Sequence, residues 1–154
     1  MIRTNALRFG SFAVFVTLIP AILFAAERAF SRQAGLHQDQ SIQVDERRRE
    51  FSYFVPTRSQ GKALPLVIYL HGHGDNMRHL VGKGIVPSAS AHWMKVAERE
   101  GFLVLYPMGL EGSDRKSGWN DCRTDTETNP RADDVGFVKE LIRFADTIFK
   151  QHMA

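Results

Sequence analysis

Between residues 51 and 55, Phe51, Tyr53 and Val55 alternate with Ser52 and Phe54. A period of two predicts a strand, ended by Pro56, and Ser59-Gln60-Gly61-Lys62 predicts the turn after it. Residues 64–70 form a short apolar run with β-branched Val67 and Ile68, the pattern of a strand buried on both faces in a parallel sheet. Residues 91–100 predict a short helix with Trp93, Val96 and Ala97 on one side and Gly101 as its stop. Residues 102–106 read as a second buried strand, stopped by Pro107. From Phe137 onward the spacing becomes helical, through Val138, Leu141, Ile142, Ala145, Ile148 and Phe149. Asp133 and Asp134 stand where the first turn of that helix needs acceptors for its unpaired N–H groups, and Lys150 suits its far end. Between these elements lie two long segments, 71–90 and 108–132, rich in Gly, Ser, Asp and Asn and expected to be loops; loops of that length are usually functional. Strand, loop, helix, strand, loop, helix is the rhythm of an α/β fold.

The first residues follow a different rule. Residues 1–8 are short and basic, and 9–26 are apolar apart from Gly10, Ser11, Thr17 and Pro20. A basic stretch leading into an apolar one without an amphipathic stripe is an export signal. Ala25-Ala26 supplies small residues for cleavage, but Phe24 stands where a third small residue is preferred, so an uncleaved membrane anchor is the alternative. The expected organisation is residues 1–26 as signal peptide or anchor, 27–43 as a polar tether, and 44–154 as a partial α/β domain, with the fold starting near Ile42. The expected location is secreted or periplasmic, or membrane-anchored if the signal is retained.

Composition changes this picture little. With 44% hydrophobic and 24% charged residues, neither wholesale disorder nor a multi-span membrane protein is indicated. The net charge of +3 includes the run Arg47-Arg48-Arg49, read as a solvated face; basic residues are not interleaved with stacking aromatics, and no nucleic-acid partner is expected. Cys122 is the only cysteine, so no internal disulfide can form.

Candidate chemistry lies in Leu70-His71-Gly72-His73-Gly74-Asp75-Asn76, directly after the 64–70 strand. Ligands in open α/β sheets bind at the carboxyl ends of strands. Glycines there let backbone N–H groups approach an oxygen that becomes negative during acyl transfer. An H-G-x-G segment in this place resembles the oxyanion-hole loop of α/β-hydrolase esterases. The ordered series 50–56, 65–76, 101–107, Gly118-Trp119-Asn120 and Asp133-Asp134-Val135-Gly136-Phe137 is similar to the polyhydroxybutyrate depolymerase and feruloyl or acetylxylan esterase family, over roughly residues 47–150. The resemblance implies the N-terminal portion of a doubly wound α/β-hydrolase sheet, without cofactor or metal, acting on an ester substrate such as a polyester or an esterified polysaccharide. It also implies that the N–H of His73, joined by that of Gly74, forms half of an oxyanion hole, with His71 and Gly72 completing the loop and His71 bracing it. Trp119 and Asn120 become candidates for the substrate pocket, although Trp119 equally suits a plug between loop and core.

No G-x-S-x-G occurs in the sequence; Ser88 and Ser90 lack the flanking glycines. The resemblance therefore implies a truncated form, inactive by itself, whose nucleophilic serine, acid and histidine follow residue 154, and a 64–70 strand whose outer neighbour is absent. Two other readings stand beside it. His71, His73 and Asp75 spell H-x-H-x-D, a zinc-hydrolase pattern, although Asn76 takes the place of a further histidine. The same loop also suits a non-catalytic binding or vestigial domain. His37, His79, His92 and His152 read as surface or loop residues, and Asp133 and Asp134 as helix caps rather than catalytic carboxylates.

Overall fold

The computed structural model describes residues 30–59, 63–84, 88–123 and 126–149. The expected export segment 1–26, the start of the expected tether, most of the turn after Ser59, Lys150 and His152 lie outside the described residues. Among the described residues no helix is long and apolar enough to cross a membrane.

Among the described residues, six strands and three α-helices follow one another as β1 (Gly35–Val44), β2 (Arg47–Val55), β3 (Leu66–Ile68), α1 (Met77–Leu80), α2 (His92–Glu100), β4 (Leu103–Pro107), β5 (Leu110–Glu111), β6 (Ser117–Gly118) and α3 (Asp134–Phe149). The main sheet has the order β1-β2-β4-β3, and β5 and β6 form a separate two-stranded hairpin. β2 runs antiparallel to both neighbours, while β3 and β4 are parallel, in register from Leu66↔Leu103 to Ile68↔Leu105. The chain is thus a mixed α/β structure.

β1 corrects the expected tether. Residues 35–44 are polar, but they pair with β2 through most of its length, from Gly35↔Val55 to Val44↔Arg47. A strand at a sheet edge needs no apolar stripe of its own when its backbone is satisfied by a buried neighbour. Its irregularity between His37 and Gln40, with Asp39 at φ +52°, hid the period.

The sheet is covered on both faces, and the strands distribute their side chains accordingly. Phe51, Tyr53, Val55, Leu103 and Leu105 pack against Phe137, Leu141, Phe144 and Ala145 of α3. Val104 and Tyr106 face the other way, onto Met77 and Leu80 of α1, Val81, and Ala97 of α2. Every residue of β4 is buried because it is central and covered twice. Burial pushes the Tyr53 hydroxyl up to about 12, and the hydroxyl donates to the Ser31 carbonyl at 2.6 Å. The α3 stripe includes Phe144, which sits edge-on to Phe30 and Phe51, whereas Ile142 is exposed.

Other expectations need correction too. β3 is only partly buried, since it has β4 on one side and no neighbour on the other among the described residues. In α2 the buried residue is Ala97, and Trp93 lies at the exposed margin against Tyr69 and Phe102. Gly101 closes α2 at φ +78° with its N–H on the Ala97 carbonyl. Segment 71–90 contains α1, capped by the Asn76 side chain on the His79 N–H, and a 3-10 turn at Ala89–Ala91.

Arg49 overturns the reading of residues 47–49 as a solvated face. It is 2% exposed, donates to Asp134 at 2.6 Å and lies over the Phe137 ring at 4.1 Å, while Arg47 and Arg48 are exposed. Alternation along the strand turns Arg48 to the opposite face from Arg49, and Arg47, on the same side as Arg49, stands at the exposed start of β2.

Candidate functional site

Residues 71–75 leave the carboxyl end of β3 and turn back at once. The Asp75 N–H reaches the Gly72 carbonyl at 3.1 Å, and Gly74 takes the φ of +79° that the third position of such a turn requires. Asn76 then opens α1, and Asp75 accepts from the Asn76 N–H and the His79 ring, both at 2.8 Å. Burial alone would raise the Asp75 carboxyl, but these two bonds and the nearby His79 and His71 hold it below its ordinary range.

His71 is 3% exposed and fully engaged. Its Nδ1 donates to the Gly72 carbonyl at 2.8 Å, and its Nε2 accepts the Gly109 N–H at 2.9 Å, which fixes the tautomer. Trp119 donates from its indole N–H to the His71 carbonyl at 2.9 Å and sets its ring 5.0 Å from the imidazole. His71 therefore joins the loop after β3 to the loop after β4, two parallel neighbours whose carboxyl ends lie on the same edge.

His73 is about half exposed, with Nε2 2.9 Å from Asp114. Among the described residues, no hydrogen bond uses its backbone N–H or that of Gly72. The Gly74 N–H differs: it donates to the Ser117 carbonyl at 2.8 Å. The expectation that Gly74 shares the oxyanion role is corrected accordingly, since that donor is already taken.

Leu70, His71, Gly72 and His73 line a cleft of about 600 Å³ with Gly118, Trp119, Asp121, Arg123 and Asn129. Trp119 also packs against the α3 side of the core, as the plug reading expected. Asn120 does not line this cleft. Its N–H donates to Asp134 at 2.6 Å, its side-chain amide to the Ala132 carbonyl at 2.9 Å, and its side-chain oxygen accepts from Cys122. Asn120 thus holds the 119–134 loop to the start of α3. A larger cleft of about 730 Å³ lies around Arg49, Arg131, Asp133 and Asp134, away from the glycine loop, and mixes charges of both signs.

The two aspartates at α3 divide their work. Asp133 caps the helix, accepting the Gly136 N–H at 2.7 Å. Asp134 instead spends its oxygens on Arg49 and Asn120.

The H-x-H-x-D residues do not converge. Both ring nitrogens of His71 are bonded within the protein, His73 turns to Asp114 and Asp75 to His79. Among the described residues no group of three or more His, Cys, Asp or Glu side chains is arranged to hold a metal ion.

Sequence reasoning missed Gly109, Asp114 and Ser117, which hydrogen-bond directly to the glycine loop. The available signal was Gly118 beside Trp119: a Cβ on Gly118 would stand 3.0 Å from His73 Nδ1, so only glycine lets that ring in without a shift.

No protein-family model matches the chain, and no similar curated protein is found.

Proposed function

We propose that this chain belongs to an exported serine carboxylic-ester hydrolase of α/β-hydrolase type, similar to polyhydroxybutyrate depolymerases and feruloyl or acetylxylan esterases, and that residues 71–74 are its oxyanion loop. One observation carries the reading: the His73 N–H, unused by the described residues, belongs to a braced glycine turn beside a cleft lined by Trp119. A donor held in place before the reaction stabilises charge that appears only in the transition state, and pays no reorganisation when it appears. The order β1-β2-β4-β3 supports the fold, because the chain crosses from β2 over to β3 and returns to β4 between them, and the glycine loop leaves the carboxyl end of β3. The open side of β3 is where a further parallel strand of such a sheet would pair.

In this mechanism a serine attacks the ester carbonyl, a histidine oriented by an acid takes its proton, and the carbonyl oxygen becomes an oxyanion beside the His73 N–H. Collapse of the oxyanion expels the alcohol, which takes that proton from the histidine, and water activated by the same histidine then hydrolyses the acyl-enzyme to the free acid and the regenerated serine. The serine, acid and base are not assigned to any of these 154 residues. They would come from further sequence of the same protein, on a strand followed by G-x-S-x-G.

The test begins with the coding DNA past codon 154, read in all three frames for that motif. The full-length protein should turn over an aryl ester and be labelled on one serine by a fluorophosphonate. Stoichiometric zinc with activity lost to a chelator would replace this reading by the zinc-hydrolase one. Retention on a glycan or polyester without turnover would replace it by a binding module.

A further inference from the structure

The glycine loop has few means of holding itself in place. Gly72 and Gly74 add backbone freedom, and the internal bonds across the turn are the one from Asp75 to Gly72 and that of the His71 ring to the Gly72 carbonyl. Beyond the Asp75 bonds to Asn76 and His79, the restraints on residues 71–74 come from one segment, residues 109–119, which touches them at four points. Gly109 donates to His71 Nε2, Trp119 to the His71 carbonyl, Ser117 accepts from the Gly74 N–H, and Asp114 takes the His73 ring.

Asp114 differs from the other three in acting through a side chain placed at a hairpin tip. β5 and β6 pair through Leu110↔Gly118 and Glu111↔Ser117, and the tip closes with the Gly112 N–H on the Lys116 carbonyl and the Arg115 N–H on the Gly112 carbonyl. Asp114 Oδ1 accepts the Lys116 N–H at 3.1 Å, which leaves Oδ2 directed to His73 at 2.9 Å. Burial would raise this carboxyl, yet the Lys116 and His73 hydrogen bonds and charges keep it below its ordinary range, so it remains an acceptor at neutral pH. Asp114 and Ser117 thus hold His73 on two sides, by its ring and by the Gly74 N–H of the peptide link that follows it.

We propose that the β5–β6 hairpin is the clamp of the glycine loop, with Asp114 as a positioning residue that sets the His73 backbone N–H through the His73 ring. The proposal rests on the oxyanion reading above for its catalytic consequence, but the clamp itself is measurable without turnover.

In the full-length protein, Asp114→Ala should speed amide exchange at Gly74, whose N–H is held by the Ser117 carbonyl, on the order of tenfold while leaving β2 and β4 protected. His73→Ala should do the same, and the double variant should add nothing to either, because both remove one contact. On an aryl ester, Asp114→Ala should lower kcat about tenfold with KM little changed, as expected for misplacing a donor that acts in the transition state. Asp114→Asn, which keeps an acceptor, should restore most of the rate. Gly118→Ala gives a second route, displacing the His73 ring without touching Asp114. Unchanged exchange at Gly74 in both Asp114→Ala and Gly118→Ala overturns the clamp, whatever the activity. Faster exchange with unchanged kcat overturns the positioning role. Faster exchange in a full-length protein that never turns over an ester upholds the clamp and rejects the esterase reading instead.

Discussion

Arg49 and Asp134 are 85 residues apart in sequence and form a buried ion pair with a second acceptor role for Asp134 toward Asn120. The Arg49 guanidinium also covers Phe137, and its Nε has no partner among the described residues. Such a pair does not by itself prove large net stability, since desolvating both charges opposes their attraction. Removing one partner is a different matter, for the other charge is then left buried. Arg49→Ala is expected to lower stability by roughly 3 kcal/mol in urea denaturation, by this reasoning. A loss below about 1 kcal/mol would mean that water reaches Asp134 easily. Because Asn120 hangs on the same carboxylate, the variant should also loosen residues 119–122, visible as faster amide exchange there.

At the scale of elements, α3 is the piece that the sheet needs most. It supplies Phe137, Leu141, Phe144 and Ala145 to the face formed by β2 and β4. Its start is fixed by Asp133, whose side chain accepts the Gly136 N–H and whose carbonyl accepts the Phe137 N–H. Asp133→Ala should cost about 1 kcal/mol, the usual value of an N-cap, with Asp133→Ser close to neutral. Thermal unfolding of the two variants checks this, and equal losses in both would assign the effect to something other than the cap. The helix was legible because its apolar spacing is intrinsic to residues 137–149. β1 was not, because its place depends on pairing with β2, and pairing leaves no mark on a polar strand.

At the scale of the whole molecule, the sheet ends at β3 with a free edge among the described residues. Val67 lies on that strand and packs into neither core cluster, while Leu70 just beyond it is 47% exposed. An apolar edge with unpaired backbone groups is a template for association. The 154-residue chain alone is therefore expected to self-associate and to show no esterase activity above background, and Val67→Lys should raise the soluble monomer fraction in sedimentation. A monomeric chain whose solubility Val67→Lys does not change would show that this edge is already covered.

By itself the sequence determined the strands 51–55 and 102–106, the helix from Phe137, the Gly101 stop and the position of the H-G-x-G loop just after a strand. These follow from local rules, since periodicity, capping and backbone freedom are properties of a few adjacent residues. Only the tertiary structure decided that Arg49 is buried, that the Gly74 N–H belongs to Ser117, and that Asp114 reaches His73 from 41 residues away. Each of those is a choice of partner between segments distant in sequence. Such a choice is made by burial and by the need to satisfy every buried donor and acceptor, and neither exists until the sheet and its covering helices have come together.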